Sequence, residues 1–142
     1  MTSVTLFLDF DGVLHPSNAY PSQYFERLPL LRSTLEKSSR PVQVVISSTW
    51  REKHSLSALK EKLPGLNVVE TTHEPSKNHE YAMYSRHGEC LEWMRKNEPF
   101  GQWIALDDRF DWFKPFTKEL IVVPHQSGLT QKNCEDLLNR LR

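Results

Sequence analysis

Five short apolar segments alternate with amphipathic segments of helical length, and this alternation constrains the fold more than any other feature of the sequence. Such an order is typical of α/β proteins, in which helices cover both faces of a parallel sheet. The near-continuous apolar character of VQVVIS and ELIVV fits strands that are buried on both faces. We therefore predict one α/β domain over residues 1–142, with a Rossmann-like sheet of about five strands between two helical layers. The predicted strands are residues 4–9, 42–47, 66–70, 103–107 and 119–123, and the predicted helices are 27–38, 52–63, 86–97 and 130–141.

The composition excludes several classes of protein. With 38% hydrophobic and 25% charged residues, the chain is typical of soluble globular proteins rather than disordered ones. Eighteen basic residues balance eighteen acidic ones, so net charge does not direct the protein to nucleic acid or to a membrane. The N-terminus lacks the features of a signal peptide, and no segment approaches the roughly 20 apolar residues of a membrane span. With only Cys90 and Cys134, far apart, we expect reduced thiols and a cytoplasmic location.

Polar side chains follow three of the predicted strands at the points where those strands end. In open α/β sheets, ligands bind beyond the carboxyl ends of the strands, so these residues are expected to meet at one edge of the sheet. They are Asp9, Asp11 and Gly12 after the first strand, Ser47, Ser48 and Thr49 after the second, and Asp107 and Asp108 after the fourth.

Four carboxylates at one edge would repel each other unless a cation neutralised them. Oxygen ligands of this kind suit Mg²⁺, which binds through a few carboxylates together with substrate phosphate. Asp9, the last residue of its strand, is placed to act as a nucleophile, and Asp11 to protonate the leaving oxygen and then deprotonate water. Gly12 allows close approach of the backbone, and we expect its amide to hold a phosphoryl oxygen.

Three segments resemble motifs of the haloacid dehalogenase (HAD) superfamily. LFLDFDGVL is similar to its first motif, a strand followed by DxDG; VVISSTW is similar to its second, and WIALDD to its fourth. The segments SSTWRE, RHGECLEWM and SGLT resemble one branch, the small HAD domain family that is found alone and inside Swiss Army Knife RNA repair proteins.

The resemblance implies the strand order 5-4-1-2-3 without a cap domain, and it implies a role for each motif residue. Asp9 would be nucleophile and metal ligand, and Asp11 the general acid/base with its carbonyl on Mg²⁺. Asp107 and Asp108 would complete the metal site. Phosphoryl oxygens would be bound by Ser48, or alternatively Ser47, with the amide of Thr49. Arg86 would neutralise the phosphate, with Lys77 as the competing assignment.

These roles predict an Mg²⁺-dependent phosphatase that acts through an aspartyl-phosphate. Phosphorylated nucleic-acid ends are the leading substrate, and a phosphoprotein or a small metabolite is the alternative. A non-catalytic phosphate-binding module is the competing hypothesis from another class. Structural roles are the alternative for two of these groups: one of Ser47, Ser48 and Thr49 could cap the following helix, and Asp107–Asp108 could be a helix N-cap. His15, which follows the acid/base loop, could contact substrate.

Overall fold

The computed structural model describes residues 2–74 and 81–142, which form a five-stranded parallel sheet flanked by helices. The strand order β3-β2-β1-β4-β5 is the predicted order 5-4-1-2-3 read from the other edge, so that prediction is confirmed. Every neighbouring pair of strands is parallel, which places the carboxyl ends of all strands at the same edge. The strands are β1 (Val4–Leu8), β2 (Val42–Ile46), β3 (Val68–Thr71), β4 (Gln102–Asp107) and β5 (Leu120–Val122).

Four α-helices connect or follow these strands: α1 (Leu28–Glu36), α2 (Leu56–Glu61), α3 (Ser85–Asn97) and α4 (Gln131–Arg140). Short 3₁₀ turns lie at Pro21–Gln23, Thr49–Glu52 and Phe110–Trp112. The helix predicted over residues 52–63 is shorter than expected. Ser55 interrupts it because its side chain accepts a hydrogen bond from the amide of Ala58 at 3.1 Å, which starts α2 anew.

Alternation along the strands gives the sheet two buried faces. Leu6, Leu8 and Ile46 belong to the larger apolar cluster, which includes residues of α1, α2 and α4. Phe7 and Val45 belong to a second cluster with residues of α3, namely Cys90, Trp93 and Met94. The sheet therefore lies between two helical layers, as the alternating sequence pattern predicts.

The backbone register continues one residue beyond the ends of β1 and β2. The amide of Asp9 donates to the carbonyl of Leu106 at 3.2 Å, and the amide of Ser47 donates to the carbonyl of Leu8 at 2.9 Å. Since Leu8 pairs with Ile46 and with Leu106, the next residues Asp9, Ser47 and Asp107 are neighbours in three adjacent strands. Strand alternation places them on the sheet face of Phe7, which is the face that α3 covers.

Within residues 2–74 and 81–142 no segment forms a separate cap domain over this edge. Over the same residues, no helix is long and apolar enough to cross a membrane. Cys90 and Cys134 are both buried free thiols, in agreement with the expected absence of a disulfide.

Candidate active site

Three carboxylates converge at the carboxyl edge of the sheet. Asp9 follows β1, Asp107 ends β4, and Asp108 comes next in the chain. One oxygen from each of the three lies within 4.8 Å of the other two. Asp9 is 7% exposed and Asp107 is 1% exposed, so water contributes little to the solvation of their charges. Of the four acids that the sequence places at this edge, Asp9, Asp107 and Asp108 therefore meet in the structure, and the carboxyl group of Asp11 does not belong to this group.

Burial and mutual repulsion both disfavour ionisation of this cluster. The pKa of Asp9 is raised well above its ordinary value, first by burial and then by repulsion from Asp107, although Arg86 opposes the shift. The pKa of Asp107 is raised to about 7, again mainly by burial, while Arg86 and the amide of Arg109 oppose the rise. Ionisation of Asp9 and Asp107 together is therefore disfavoured, and a further cation beside them would favour it.

Arg86, in the first turn of α3, supplies part of the compensating charge. Its Nη1 lies 3.6 Å from Asp9 Oδ1 and 3.6 Å from Asp107 Oδ2, and the side chain is 3% exposed. Burial lowers the pKa of Arg86, but the charges of Asp107, Asp9 and Glu89 outweigh it and raise that pKa overall. The guanidinium therefore stays charged beside the nucleophile candidate, as the sequence analysis expected of this residue.

The carboxylate cluster suits a hard divalent cation. Among the described residues, Asp107 Oδ2 and Asp108 Oδ1 are buried oxygens without a hydrogen-bond partner. Buried polar oxygens nearly always have a hydrogen-bond partner. In the described part of the chain Asp108 Oδ1 has none, and Asp107 Oδ2 has only the ion pair with Arg86, so both are suited to bind a cation. Carboxylate oxygens are the preferred ligands of Mg²⁺. The cluster thus has the donor set that the sequence predicted for Asp9, Asp107 and Asp108.

Gly12 packs directly against this cluster. It has φ +81°, a left-handed conformation, and a Cβ placed there would collide with the carboxyl group of Asp108. Its amide donates to the carbonyl of His15 at 2.9 Å. That amide is already paired, which corrects the prediction that it holds a phosphoryl oxygen. Glycine is required here for close approach to Asp108 rather than for its N–H group.

Asp11 has an environment unlike that of Asp9. Its Oδ1 lies 2.7 Å from His15 Nε2, and its Oδ2 accepts a hydrogen bond from Trp50 Nε1 at 3.1 Å. Since His15 Nδ1 accepts from the amide of Phe25, the proton of the neutral ring is on Nε2, which donates to Asp11. The hydrogen bond from His15 is the main reason why the pKa of Asp11 is lowered, with burial opposing and Trp50 adding to the shift.

His15 is wholly buried and faces Asp11 rather than solvent. The suggestion that it contacts substrate is therefore wrong, and its contribution is to hold the acid/base candidate. The sequence contains one signal for the pairing of Asp11 with His15, namely their spacing of four residues around a glycine turn. It contains no signal for the contact between Asp11 and Trp50, which are far apart in the chain.

The hydroxyl-bearing residues after β2 divide into different environments. Ser48 is fully buried, and its side chain accepts a hydrogen bond from the amide of Trp50 at 3.3 Å, which caps the 3₁₀ turn. Ser47 lies beside Asp9 in the register of the sheet. Thr49 is exposed at the start of the turn. The expected cap is therefore Ser48, and the residue adjacent to the nucleophile candidate is Ser47.

A buried ionic network behind Arg86 was not anticipated from the sequence. Arg51 Nη1 lies 2.5 Å from Glu89 Oε1, and Thr72 Oγ1 donates to the same oxygen at 2.7 Å. Glu89 also lies 3.9 Å from Arg86 Nε, one helical turn along α3. The i, i+3 spacing of Arg86 and Glu89 was the available signal. Lys77, the competing phosphate-neutralising residue, lies outside the described residues.

Comparison with known proteins identifies one family. A family model described as "HAD domain in Swiss Army Knife RNA repair proteins" matches residues 5–134, which include every described residue of the cluster. A search of curated proteins and a search of solved structures found no match.

Proposed function

This chain belongs to the family of HAD domains of Swiss Army Knife RNA repair proteins, and on that premise we propose that it is an Mg²⁺-dependent phosphomonoesterase. The observation that carries the proposal is the contact between the buried carboxylates of Asp9 and Asp107 and the guanidinium of Arg86. A nucleophile, a cation site and an anion-binding group are then within a few ångströms of one another, as phosphoryl transfer requires.

Mg²⁺ would be held by Asp9, Asp107 and Asp108, with the backbone carbonyl of Asp11 as a further ligand. When bound, the ion supplies positive charge that permits these carboxylates to ionise together and neutralises charge on the phosphoryl oxygens. Asp107 Oδ2 and Asp108 Oδ1, which are buried without a hydrogen-bond partner among the described residues, support this assignment.

The proposed reaction has two steps. A carboxylate oxygen of Asp9 forms a bond to phosphorus while the bond from phosphorus to the leaving oxygen breaks, and Asp11 gives a proton to that oxygen. Because hydrogen bonds from His15 and Trp50 lower the pKa of Asp11, this proton is one that the monoanion of the phosphomonoester transfers to Asp11 on binding. In the second step Asp11 takes a proton from water, which attacks the phosphorus of the aspartyl-phosphate. Inorganic phosphate leaves, and the Asp9 carboxylate is restored. The half-exposed carboxyl group of Asp11, held by His15 and Trp50, is oriented for both transfers.

Several groups are candidates to bind the phosphoryl oxygens. Arg86 is the charged one, and Ser47 is favoured over Ser48 because the hydroxyl of Ser48 caps the following turn. The amides of Phe10 and Asp11 have no hydrogen-bond partner within residues 2–74 and 81–142, so they replace the Gly12 amide in this role. Thr49 remains the expected source of a further amide.

Phosphorylated nucleic-acid ends are the substrate that we propose. The family description connects related domains with RNA repair. In the described part of the chain no cap domain encloses the site, so the end of a long polymer can reach it. A phosphoprotein would have the same access, and the experiment must therefore separate the two.

The test is phosphate release from matched substrates, with and without Mg²⁺. The panel contains an aryl phosphate, nucleoside monophosphates, a phosphopeptide, and RNA and DNA carrying 3′- or 5′-terminal phosphate. We expect metal-dependent release that Asp9→Asn abolishes, with the highest kcat/KM for a nucleic-acid end. Metal-independent release, or release that survives Asp9→Asn, contradicts the mechanism. A folded wild-type protein that binds Mg²⁺ but releases no phosphate from any substrate contradicts the enzymatic function.

A further inference from the structure

A cavity of about 440 Å³ opens beside Asp11, and no step of the proposed reaction uses its residues Tyr24 and His54. Its volume is within the range of about 300–1,000 Å³ that is typical of ligand pockets. The carboxyl group of Asp11 forms part of its lining. The other lining residues are Tyr24, Thr49, Trp50, Glu52, Lys53 and His54.

Three rings line this cavity, two of them stacked and the third edge-on to the stack. The rings of Trp50 and His54 are stacked, with centroids 5.3 Å apart and planes inclined by 24°. The ring of Tyr24 meets Trp50 edge-on, with centroids 5.3 Å apart, and Tyr24 is 40% exposed. The inner side of the Trp50 ring packs against Phe10 and Phe25. Trp50 and His54 are both partly exposed, and both line the cavity.

The position of Asp11 determines which part of a substrate would enter. In the proposed reaction, Asp11 gives a proton to the leaving oxygen, so the leaving group must lie on the side of Asp11. Trp50 Nε1 donates directly to Asp11, which fixes the indole next to the reacting atoms. His54 lies one ring further away, stacked on the indole. The aromatic lining of the cavity therefore begins with the indole that contacts Asp11 and continues to His54.

We propose that this cavity binds the nucleobase of the terminal nucleotide at a single-stranded phosphorylated end, by stacking on His54 with Tyr24 at its side. This inference rests on the proposed phosphatase function, because that function places the leaving group next to Asp11. Stacking is sequence-tolerant since every base presents a flat face, so the subsite would accept any base.

The order of the side chains favours a nucleotide over an aryl phosphate or a phosphotyrosyl peptide. In an aryl phosphate the ring is bonded to the leaving oxygen itself, whereas in a nucleotide the ribose separates the base from that oxygen. The indole of Trp50 contacts Asp11 on one side and the ring of His54 on the other, which fits the second arrangement. Lys53 lines the same cavity, and Lys62 Nζ lies 5.9 Å from the centroid of the Trp50 ring, so cations are present for the next phosphodiester. Glu52 offsets one of these charges, which is consistent with binding mainly through stacking.

The test compares two oligonucleotides that differ only in their terminal base. One carries a normal terminal nucleotide and the other an abasic tetrahydrofuran residue, each with a 3′-phosphate or a 5′-phosphate. For the wild-type protein we expect kcat/KM to be about 10-fold higher with the base present, within the range that base stacking produces. His54→Ala and Tyr24→Ala should each remove most of that preference, measured as the ratio of kcat/KM for the two oligonucleotides with the same variant.

Phe100→Ala is the matched control, because Phe100 is a fully exposed aromatic residue outside the cavity. Its replacement should change kcat/KM for neither oligonucleotide. Equal kcat/KM for the two oligonucleotides overturns the subsite while leaving the phosphatase intact. Turnover of a phosphotyrosyl peptide that exceeds both oligonucleotides and depends on His54 also overturns it, since the cavity then holds an aryl group.

Equilibrium binding separates this inference from the function on which it rests. If the wild-type protein releases no phosphate from any substrate, the proposed function fails, and affinities for the same two oligonucleotides then decide the subsite. A base-dependent affinity that His54→Ala removes would support the binding surface alone. The same affinity for both oligonucleotides would overturn it.

Discussion

Asp9 and Asp11 are two residues apart, yet the structure gives them opposite environments. Asp9 is 7% exposed among Asp107, Asp108 and Arg86, and its pKa is raised well above the ordinary value, chiefly by burial. The Asp11 side chain is 48% exposed, and hydrogen bonds from His15 and then Trp50 lower its pKa. One carboxylate therefore needs a cation to become fully ionised, while the other is stabilised as an anion by neutral donors.

This difference shows how one short motif can supply two chemical roles. A pair of carboxyl groups with different environments is the common way in which enzymes separate nucleophile and acid/base functions. The charge of Asp9 is compensated by other charges, namely Arg86 and the proposed Mg²⁺. The charge of Asp11 is stabilised by hydrogen bonds, because each of its oxygens accepts one from a ring N–H group. Substitutions around Asp9 and substitutions around Asp11 should therefore affect activity and stability differently.

The largest effect is expected from Asp9→Asn. Removal of a covalent nucleophile should lower kcat by about 10⁴-fold or more, whatever the leaving group. The amide should also relieve repulsion with Asp107, so the protein without metal should unfold at the same or a higher temperature. Phosphate release under single-turnover conditions and thermal unfolding together check this prediction. A loss of activity accompanied by a lower unfolding temperature would indicate a structural role instead.

Asp11→Asn should have an effect that depends on the leaving group. An alkyl leaving oxygen needs a proton, so we expect the first turnover of a nucleotide substrate to slow by about 10²–10⁴-fold. An aryl phosphate has a better leaving group, and its first turnover should slow far less. The measurement is rapid-quench detection of the first turnover for both substrates. An equal loss for both would mean that Asp11 does not act as the general acid.

Because Asp107 is buried with a raised pKa, we expect the free energy of unfolding to depend on pH and on bound Mg²⁺. Its folded pKa of about 7 exceeds the ordinary value of 3.8, so the folded state binds more protons between these values. Without metal, this group's contribution to stability should therefore be lost as pH rises from about 4 to 7. At pH 8, Mg²⁺ at 100 times its Kd should restore about 2.7 kcal/mol.

Thermal unfolding at pH 5 and pH 8, with and without Mg²⁺, measures this effect. Asp107→Asn is the control, because it removes both the titrating group and a ligand. It should weaken the fall in stability with pH and abolish most of the stabilisation by Mg²⁺. The assignment fails if wild type and variant respond to Mg²⁺ equally.

The smallest effect is expected from Trp50→Phe, which keeps an aromatic ring but removes the hydrogen bond to Asp11 Oδ2. Hydrogen bonds to charged groups are worth about 1.5–3 kcal/mol, so we expect kcat to fall by about 10-fold with little change in KM. Trp93→Phe is the matched control, since Trp93 Nε1 is buried without a hydrogen-bond partner among the described residues. Similar losses in the two variants would mean that packing, rather than the orientation of Asp11, is responsible.

Local patterns in the sequence were sufficient to predict the strands and the convergence of Asp9, Asp107 and Asp108, and the family resemblance supplied the strand order. Apolar runs with β-branched residues predict buried strands, and parallel strands necessarily bring their carboxyl ends to one edge. The family resemblance, carried by the same motifs, is confirmed by the match over residues 5–134. The break in the helix predicted over 52–63 was missed because the cap at Ser55 has no strong sequence signature.

What the tertiary structure alone decided is the environment of each polar group. The sequence could not show that Gly12 donates to His15, that Ser48 caps a turn, or that Trp50 holds Asp11. These contacts join residues through the packing of loops, and their energies depend on burial and orientation rather than on residue type. The sequence by itself determined which chemical groups this protein brings to the edge of its sheet. The fold determined which of those groups remain available to a substrate.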